Sequence, residues 1–170
     1  MIAAPAAASV RAAVPVAPVE QAWQVLRGVP DPEIPVLSVV DLGIIRYVRE
    51  TAGDVEIGVS PTYSGCPATE VIRRQILEAL QRAGIRGKVT DVLSPPWSSD
   101  WISAEGARAL HRFGIAPPRP LKSAANDLPP ACPRCESTRT EKVSEFGSTP
   151  CKASHRCLAC LEPFERFKCI

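Results

Sequence analysis

Long apolar runs are missing from this sequence: prolines and charges interrupt every stretch before the roughly eighteen residues of a membrane-spanning segment accumulate. A charge excess is missing too. Twenty lysines and arginines face eighteen aspartates and glutamates, a formal net charge of +2, which is too little for the electrostatic footprint of a nucleic-acid binder. Histidine is scarce, with only His111 and His155, and there is no Glu-x-x-His pair from which a helical bundle could build a di-iron centre. No glycine-rich nucleotide loop occurs either. These absences argue against a membrane-spanning chain, a nucleic-acid reader, a di-iron helical bundle and a glycine-loop nucleotide binder.

Cysteine is what the sequence has in quantity, and six of its seven lie between residues 132 and 169. Cys132 and Cys135 form one C-x2-C pair and Cys157 and Cys160 a second. Two such pairs separated by a loop of about twenty residues are the zinc-ribbon pattern, because two-residue spacing lets both sulfurs of a tight turn face one cation. The alternative is a disulfide-stapled tail, which suits a secreted chain. Residues 1–18 argue against secretion: Pro5, Pro15 and Pro18 break the apolar stretch and Arg11 sits inside it, where a signal peptide carries its charge ahead of an unbroken run. They read as a disordered leader on a cytoplasmic protein. Cys151 and Cys169 are surplus to a four-coordinate ion. They read as small buried residues, with the alternative that either replaces a pair ligand, or that Cys151, Cys157 and Cys160 belong to an iron–sulfur cluster. Basic and acidic residues nearly balance in residues 131–170 once a zinc tetrathiolate is counted, which favours a docking or scaffold module over nucleic-acid binding.

Ahead of the tail, Ala22, Val25, Leu26 and Val29 recur at helical spacing. Asp31-Pro32-Glu33-Ile34-Pro35 follows as a rigid loop, since its prolines fix their own φ and bias the residues before them toward extended backbone. Residues 44–48 and 55–59 predict a β-hairpin. Val55, Ile57 and Val59 should face a core, and Glu56, Gly58 and Ser60 should meet solvent. Ala68, Ile72, Ile76, Ala79, Leu80 and Ala83 predict a helix closed by Gly84, with Pro67 at its first position. Cys66 then sits at or beside the helix N-cap, where free backbone N–H groups favour a thiolate; the competing reading is a small buried residue. A third strand over 88–93 and a helix capped by Ser103 complete a first unit. Residues 117–130, with five prolines, read as an extended spacer before a separate ribbon.

Asp31 and Glu33 are candidate metal-facing carboxylates if their loop approaches Cys66. Asx-type hydrogen bonding beside Pro32 explains Asp31 without function. Trp97 and Trp101 could grip a partner or be buried at the junction with the ribbon. His155 is a fallback metal ligand and His111 a surface residue.

The sequence Asp31-Pro32-Glu33-Ile34-Pro35, then Asp41-Leu42-Gly43, then Cys66-Pro67 at a helix start, resembles the SufT-like family of iron-sulfur assembly factors. The residues Pro95-Pro96-Trp97-Ser98-Ser99-Asp100-Trp101, Phe113-Gly114-Ile115-Ala116-Pro117-Pro118 and Phe146-Gly147-Ser148-Thr149-Pro150-Cys151-Lys152 resemble its PaaD-type subgroup, which belongs to the phenylacetyl-CoA epoxidase system. The resemblance implies an α+β fold, with a small SufT-like α/β domain over 19–116, a linker over 117–130 and a zinc ribbon over 131–170. It implies a non-catalytic accessory or maturation factor that assists delivery of iron or an iron–sulfur cluster to the oxygenase or reductase subunits. Cys66 would be the transfer residue, with Asp31 and Glu33 beside it. A structural docking subunit and a thiol-dependent enzyme using Cys66 are the rival readings, and a homodimer sharing one ion through Cys66 is left open.

Overall fold

The computed structural model describes residues 17–63, 65–124 and 128–170. Most of the expected leader, residues 1–16, lies outside the described residues.

The chain folds as an α+β protein with two small sheets. Helix α1 (Pro18–Leu26) begins with proline in its first turn and buries Ala22 and Leu26. The hairpin of β1 (Ile45–Thr51) and β2 (Asp54–Val59) turns at Ala52 and Gly53, both at positive φ, the backbone that matches strand twist in a two-residue loop. Helix α2 (Ala68–Arg82) then returns the chain so that β3 (Gly87–Asp91) lies parallel to β2, giving the sheet order β1-β2-β3. Ala68, Ile72, Ile76 and Leu80, from the expected apolar stripe of α2, are buried.

One expectation fails in β2. Glu56, Gly58 and Ser60 do not meet solvent; all three are buried, as are Val55, Ile57 and Val59. The reason is that β2 is central, so long side chains from its neighbours arch over its second face. The Tyr47 hydroxyl and the Arg49 guanidinium donate to Glu56, both at 2.8 Å, and Lys88 pairs with it at 3.0 Å. The Tyr47 ring occupies the space that a side chain at Gly58 would need. The Ser60 hydroxyl donates to the Val92 carbonyl at 2.6 Å.

Asp41-Leu42-Gly43 is a brace. The Asp41 carboxylate accepts the hydroxyls of Ser38 and Ser103, and its carbonyl accepts the Ser103 N–H. Ser103 meanwhile caps α3 (Ala104–Arg112) through the Gly106 N–H. Gly43 sits at φ 73°, where a β-carbon would collide with the Trp101 backbone.

The second sheet has the order β4-β7-β6-β5, from β4 (Ile115–Ala116), β5 (Thr140–Ser144), β6 (Lys152–Cys157) and β7 (Pro163–Phe167). Strand β4 precedes the proline-rich segment, yet it pairs in parallel with β7. Phe167, at the end of β7, and Cys151, just before β6, belong to the hydrophobic core of the first unit. Trp97 meets Phe167 with ring centroids 6.0 Å apart and donates its indole N–H to the Leu42 carbonyl at 3.1 Å. The Ser99 N–H donates to the Ile170 carbonyl at 2.8 Å. Trp97 is therefore a junction residue, while Trp101 carries the Arg46 guanidinium 3.4 Å above its ring. Residues 117–130 join two parts that share packing on both sides of the segment.

Candidate functional site

Two cysteine-bearing places stand out, and they differ in construction. The first is the pair of ribbon turns. In each, the N–H of the leading cysteine donates across the turn, Cys132 to the Ser137 carbonyl at 3.0 Å and Cys157 to the Glu162 carbonyl at 2.9 Å. The residue after each second cysteine lies in the left-handed region, Glu136 at φ 60° and Leu161 at φ 64°. The position usually held by glycine is thus filled by glutamate without loss of the turn, and the two turns are alike. Together they bring the sulfurs of Cys132, Cys135, Cys157 and Cys160 within 4.8 Å of one another. The N–H groups of Ala159 and Cys160 approach the Cys157 sulfur at 3.4 and 3.5 Å. The Cys160 amide, with that of Ala159, holds the Cys157 thiol down to about 6 against the opposing effect of burial. At Cys135 the Ser137 amide acts in the same sense but is outweighed by burial and by its cysteine neighbours, Cys160 first, which push it up to about 12. Four crowded sulfurs cannot all ionise unaided, because like charges at this range raise one another's pKa. A divalent cation removes that conflict, so this donor set fits a tetrahedral metal ion.

Neither surplus cysteine joins this cluster, and nor does His155. Cys169 lies half-buried near the Arg166 guanidinium and the Arg119 carbonyl. His155 is buried in β6 and stacks on Phe164 with centroids 5.5 Å apart; burial, then Arg166 and Lys142, lowers its pKa. His111 pairs with Glu136 at 2.9 Å.

The second place is a cleft in the first unit. It is lined by Asp31, Glu33, Ser60, Thr62, Cys66 and Thr69 among others, and also by Cys151 and Phe167 from the ribbon. The loop carrying Asp31 and Glu33 and the approach to α2 carrying Cys66 do converge. Cys66 stands one residue ahead of Pro67, which is itself the N-cap; the Cys66 N–H donates to the Tyr63 carbonyl and its carbonyl accepts the Thr69 N–H. Asp31 Oδ1 accepts the N–H groups of Glu33 and Ile34 at 2.9 and 2.8 Å. This is the Asx-type turn that its proline neighbour suggested. Burial raises the Asp31 carboxyl, opposed by those two amides and by Lys152. Burial also raises Glu33, with Asp31 adding repulsion. Tyr63 is pushed up to about 12, by burial first and then by Cys66.

Sequence reasoning missed a wall residue of this cleft and a buried charge near it. Cys151 is buried there beside the Thr149 hydroxyl, 3.1 Å away, and burial raises its thiol. Lys152 is also buried; it pairs with Glu165 at 2.9 Å and its charge reaches Asp31, Glu33 and Cys151. The only signal was the run Phe146-Gly147-Ser148-Thr149-Pro150-Cys151-Lys152, whose composition gives no direction toward Cys66.

Comparison with known proteins bears on both places. The family model described as iron-sulfur cluster assembly protein matches residues 19–93, and that described as PaaD zinc beta ribbon domain matches residues 116–168. A crystal structure of a domain of unknown function, DUF59, from Bacillus anthracis aligns with a TM-score of 0.51 at 26% identity, over 55% of this chain and 91% of that one. An Fe-S protein maturation auxiliary factor of Porphyromonas gingivalis is 36% identical over 54% of this chain and 89% of its own length. An Escherichia coli (strain K12) protein named as a subunit of 1,2-phenylacetyl-CoA epoxidase is 46% identical over 89% of this chain and 93% of its own. Matched in both halves by these family models and along most of its length by that relative, the chain belongs to the PaaD family.

Proposed function

We propose that this chain is a non-catalytic maturation subunit of a phenylacetyl-CoA epoxidase system, one that passes iron or an iron–sulfur cluster to the oxygenase or reductase components. Cys66 is the transient ligand, with Asp31 and Glu33 as neighbouring oxygen donors, and the four ribbon cysteines hold a structural zinc ion. The observation that carries the reading is the convergence of Cys66, Asp31 and Glu33 on one cleft, in a chain whose first half matches an iron-sulfur assembly family and most of whose length resembles an epoxidase subunit. A soft thiolate beside carboxylates suits a borderline divalent ion held long enough to be handed on.

A thiol-dependent enzyme is less well supported. A nucleophilic cysteine needs a positioned base, and no histidine lines the cleft among the described residues.

The test is Cys66→Ser, which keeps the size of the side chain and removes the thiolate. The variant is expected to retain its circular dichroism and one zinc per chain, and to leave cells without active phenylacetyl-CoA oxygenase. Full oxygenase activity of this variant under iron limitation would replace the carrier reading with that of a docking subunit.

A further inference from the structure

One face of the ribbon sheet carries polar side chains where apolar ones would close a core. His155 in β6 stands opposite Lys142 in β5 and Phe164 in β7, and Arg166 stands opposite Ala153. Strand alternation places residues 153 and 155, and likewise 164 and 166, on the same side of the sheet. The chain at Leu128-Pro129-Pro130 is tied to this sheet by the Thr140 hydroxyl, which donates to the Pro130 carbonyl at 2.7 Å. Sheet and segment bound a groove of about 560 Å³, open to solvent, whose wall includes Lys142, His155, Arg166 and Lys168.

Packing explains part of this wall. His155 stacks on Phe164, and Lys168 lies 4.5 Å over the Phe146 ring and donates to the Pro150 carbonyl at 2.8 Å. Two nitrogens are left over. His155 is 5% exposed, yet its Nδ1 has no hydrogen-bond partner among the described residues, and neither has the buried Nε of Arg166. A guanidinium Nε always carries a hydrogen, and a buried donor without an acceptor is destabilising. Both nitrogens belong to side chains on the wall of one groove, which points to an acceptor that the groove admits.

Charge and size select that acceptor. Lys142, Arg166 and Lys168 are cationic, and among the described residues Glu145 is the one carboxylate on the wall. It pairs with Lys142, and Lys142, then Lys168, hold its carboxyl below the ordinary value. Two positive charges remain uncompensated. A phosphate monoester carries close to two negative charges at neutral pH, whereas a single carboxylate carries one. The groove falls in the range of small-molecule sites, roughly 300–1,000 Å³, and is far larger than a bare phosphate ion needs. Leu128, Pro129, Pro130 and Ala153 make the rest of its wall apolar.

We propose that this groove binds a small organic phosphate monoester, with the phosphoryl oxygens held by Arg166, His155 and Lys168 and the organic part against Leu128, Pro129 and Pro130. Arg166 donates from Nε, and a neutral His155 ring donates once it carries its hydrogen on Nδ1. No covalent bond forms or breaks. None of the four ribbon cysteines lines this groove, nor does any residue of the Cys66 cleft, so the inference is independent of the proposed role of Cys66.

The test follows the histidine ring nitrogens of full-length, metal-loaded protein by NMR during titration with phenyl phosphate. The chain has only two histidines, and His111, paired with Glu136, is the internal reference. The His155 Nδ1 resonance should shift saturably while that of His111 stays in place. Inorganic phosphate and benzoate should each bind more weakly than phenyl phosphate. Arg166→Gln should lose about tenfold in affinity while keeping its metal and the dispersion of its spectrum. Absence of a saturable shift at His155 would overturn the proposal, and equal shifts at both histidines would show adventitious binding to basic surface instead. Equal affinity for inorganic and phenyl phosphate would refute the organic part of the ligand, and tighter binding of a phosphoserine peptide would assign the groove to a protein partner. Because Arg166→Gln can lose stability, a nuclear Overhauser effect between the phenyl ring and the Ala153 methyl group in wild type gives an independent answer. Its presence is expected; its absence at saturation refutes the site.

Discussion

The ribbon turns and the Cys66 cleft both carry cysteine sulfurs, yet they are opposite kinds of site. The four ribbon sulfurs lie within 4.8 Å of one another, are set by two matching turns, and leave no coordination position free once an ion is bound. Structural metal sites are closed in this way. The cleft is lined by side chains from a proline-bound loop, the approach to a helix and the lead-in to a ribbon strand, and it is open on one side. The contrast is one of closure: matched turns gather four sulfurs at one point, whereas the cleft spreads its polar side chains around an opening.

The largest effect should come from opening the closed site. Cys157→Ser removes a buried ligand, and because structural zinc supplies about 10–16 kcal/mol in small peptides, the second sheet should lose its hydrogen-exchange protection along with the metal. Retention of one metal ion per chain, measured by elemental analysis, would contradict this.

Next is the seam between the regions. Phe167 is 1% exposed against Trp97, and Phe167→Ala should cost about 3–5 kcal/mol, read by denaturant unfolding together with a change in tryptophan emission. A cost below about 1 kcal/mol would mean that the two regions are energetically independent.

A third test uses acid, which strikes the first unit through Glu56. Hydrogen bonds from Tyr47, Lys88 and Arg49 hold this carboxyl down to about 2, from an ordinary 4.5. Since the folded value is below the unfolded one, its stabilisation is present above about pH 4.5 and is lost as the pH falls through about 2. Glu56→Gln should flatten that part of the stability profile and leave metal content untouched; an unchanged profile would remove Glu56 from the account.

The smallest effect is at Leu161, which is 72% exposed at φ 64°. A left-handed residue other than glycine costs roughly 1–2 kcal/mol, while glycine loses about 0.5–1 kcal/mol of chain entropy. Leu161→Gly should therefore raise the melting temperature of the metal-loaded protein slightly, and a marked fall would show that the leucine side chain packs more than its exposure suggests.

Much of this was legible because it is local. The stripe of Ala68, Ile72, Ile76 and Leu80, the Ser103 cap, the hairpin and the C-x2-C turns each depend on residues a few positions apart. The exposure of Glu56, Gly58 and Ser60 was not legible, because alternation reports which faces a strand has, and only its neighbours decide whether both are covered. Strand β4 is two residues long and has no period to read.

By itself, the sequence determined the three helices and the three strands of the first unit, the four-cysteine cluster of the ribbon and the candidacy of Cys66, Asp31 and Glu33, since turn chemistry, helical spacing and cysteine spacing act over a few residues. Only the tertiary structure decided that Trp97 meets Phe167, that β4 joins the ribbon sheet, and that Cys151 reaches the Cys66 cleft. Those pairings are between segments distant in the chain, and they form because packing the two units against one another removes more apolar surface from water than either unit could bury alone.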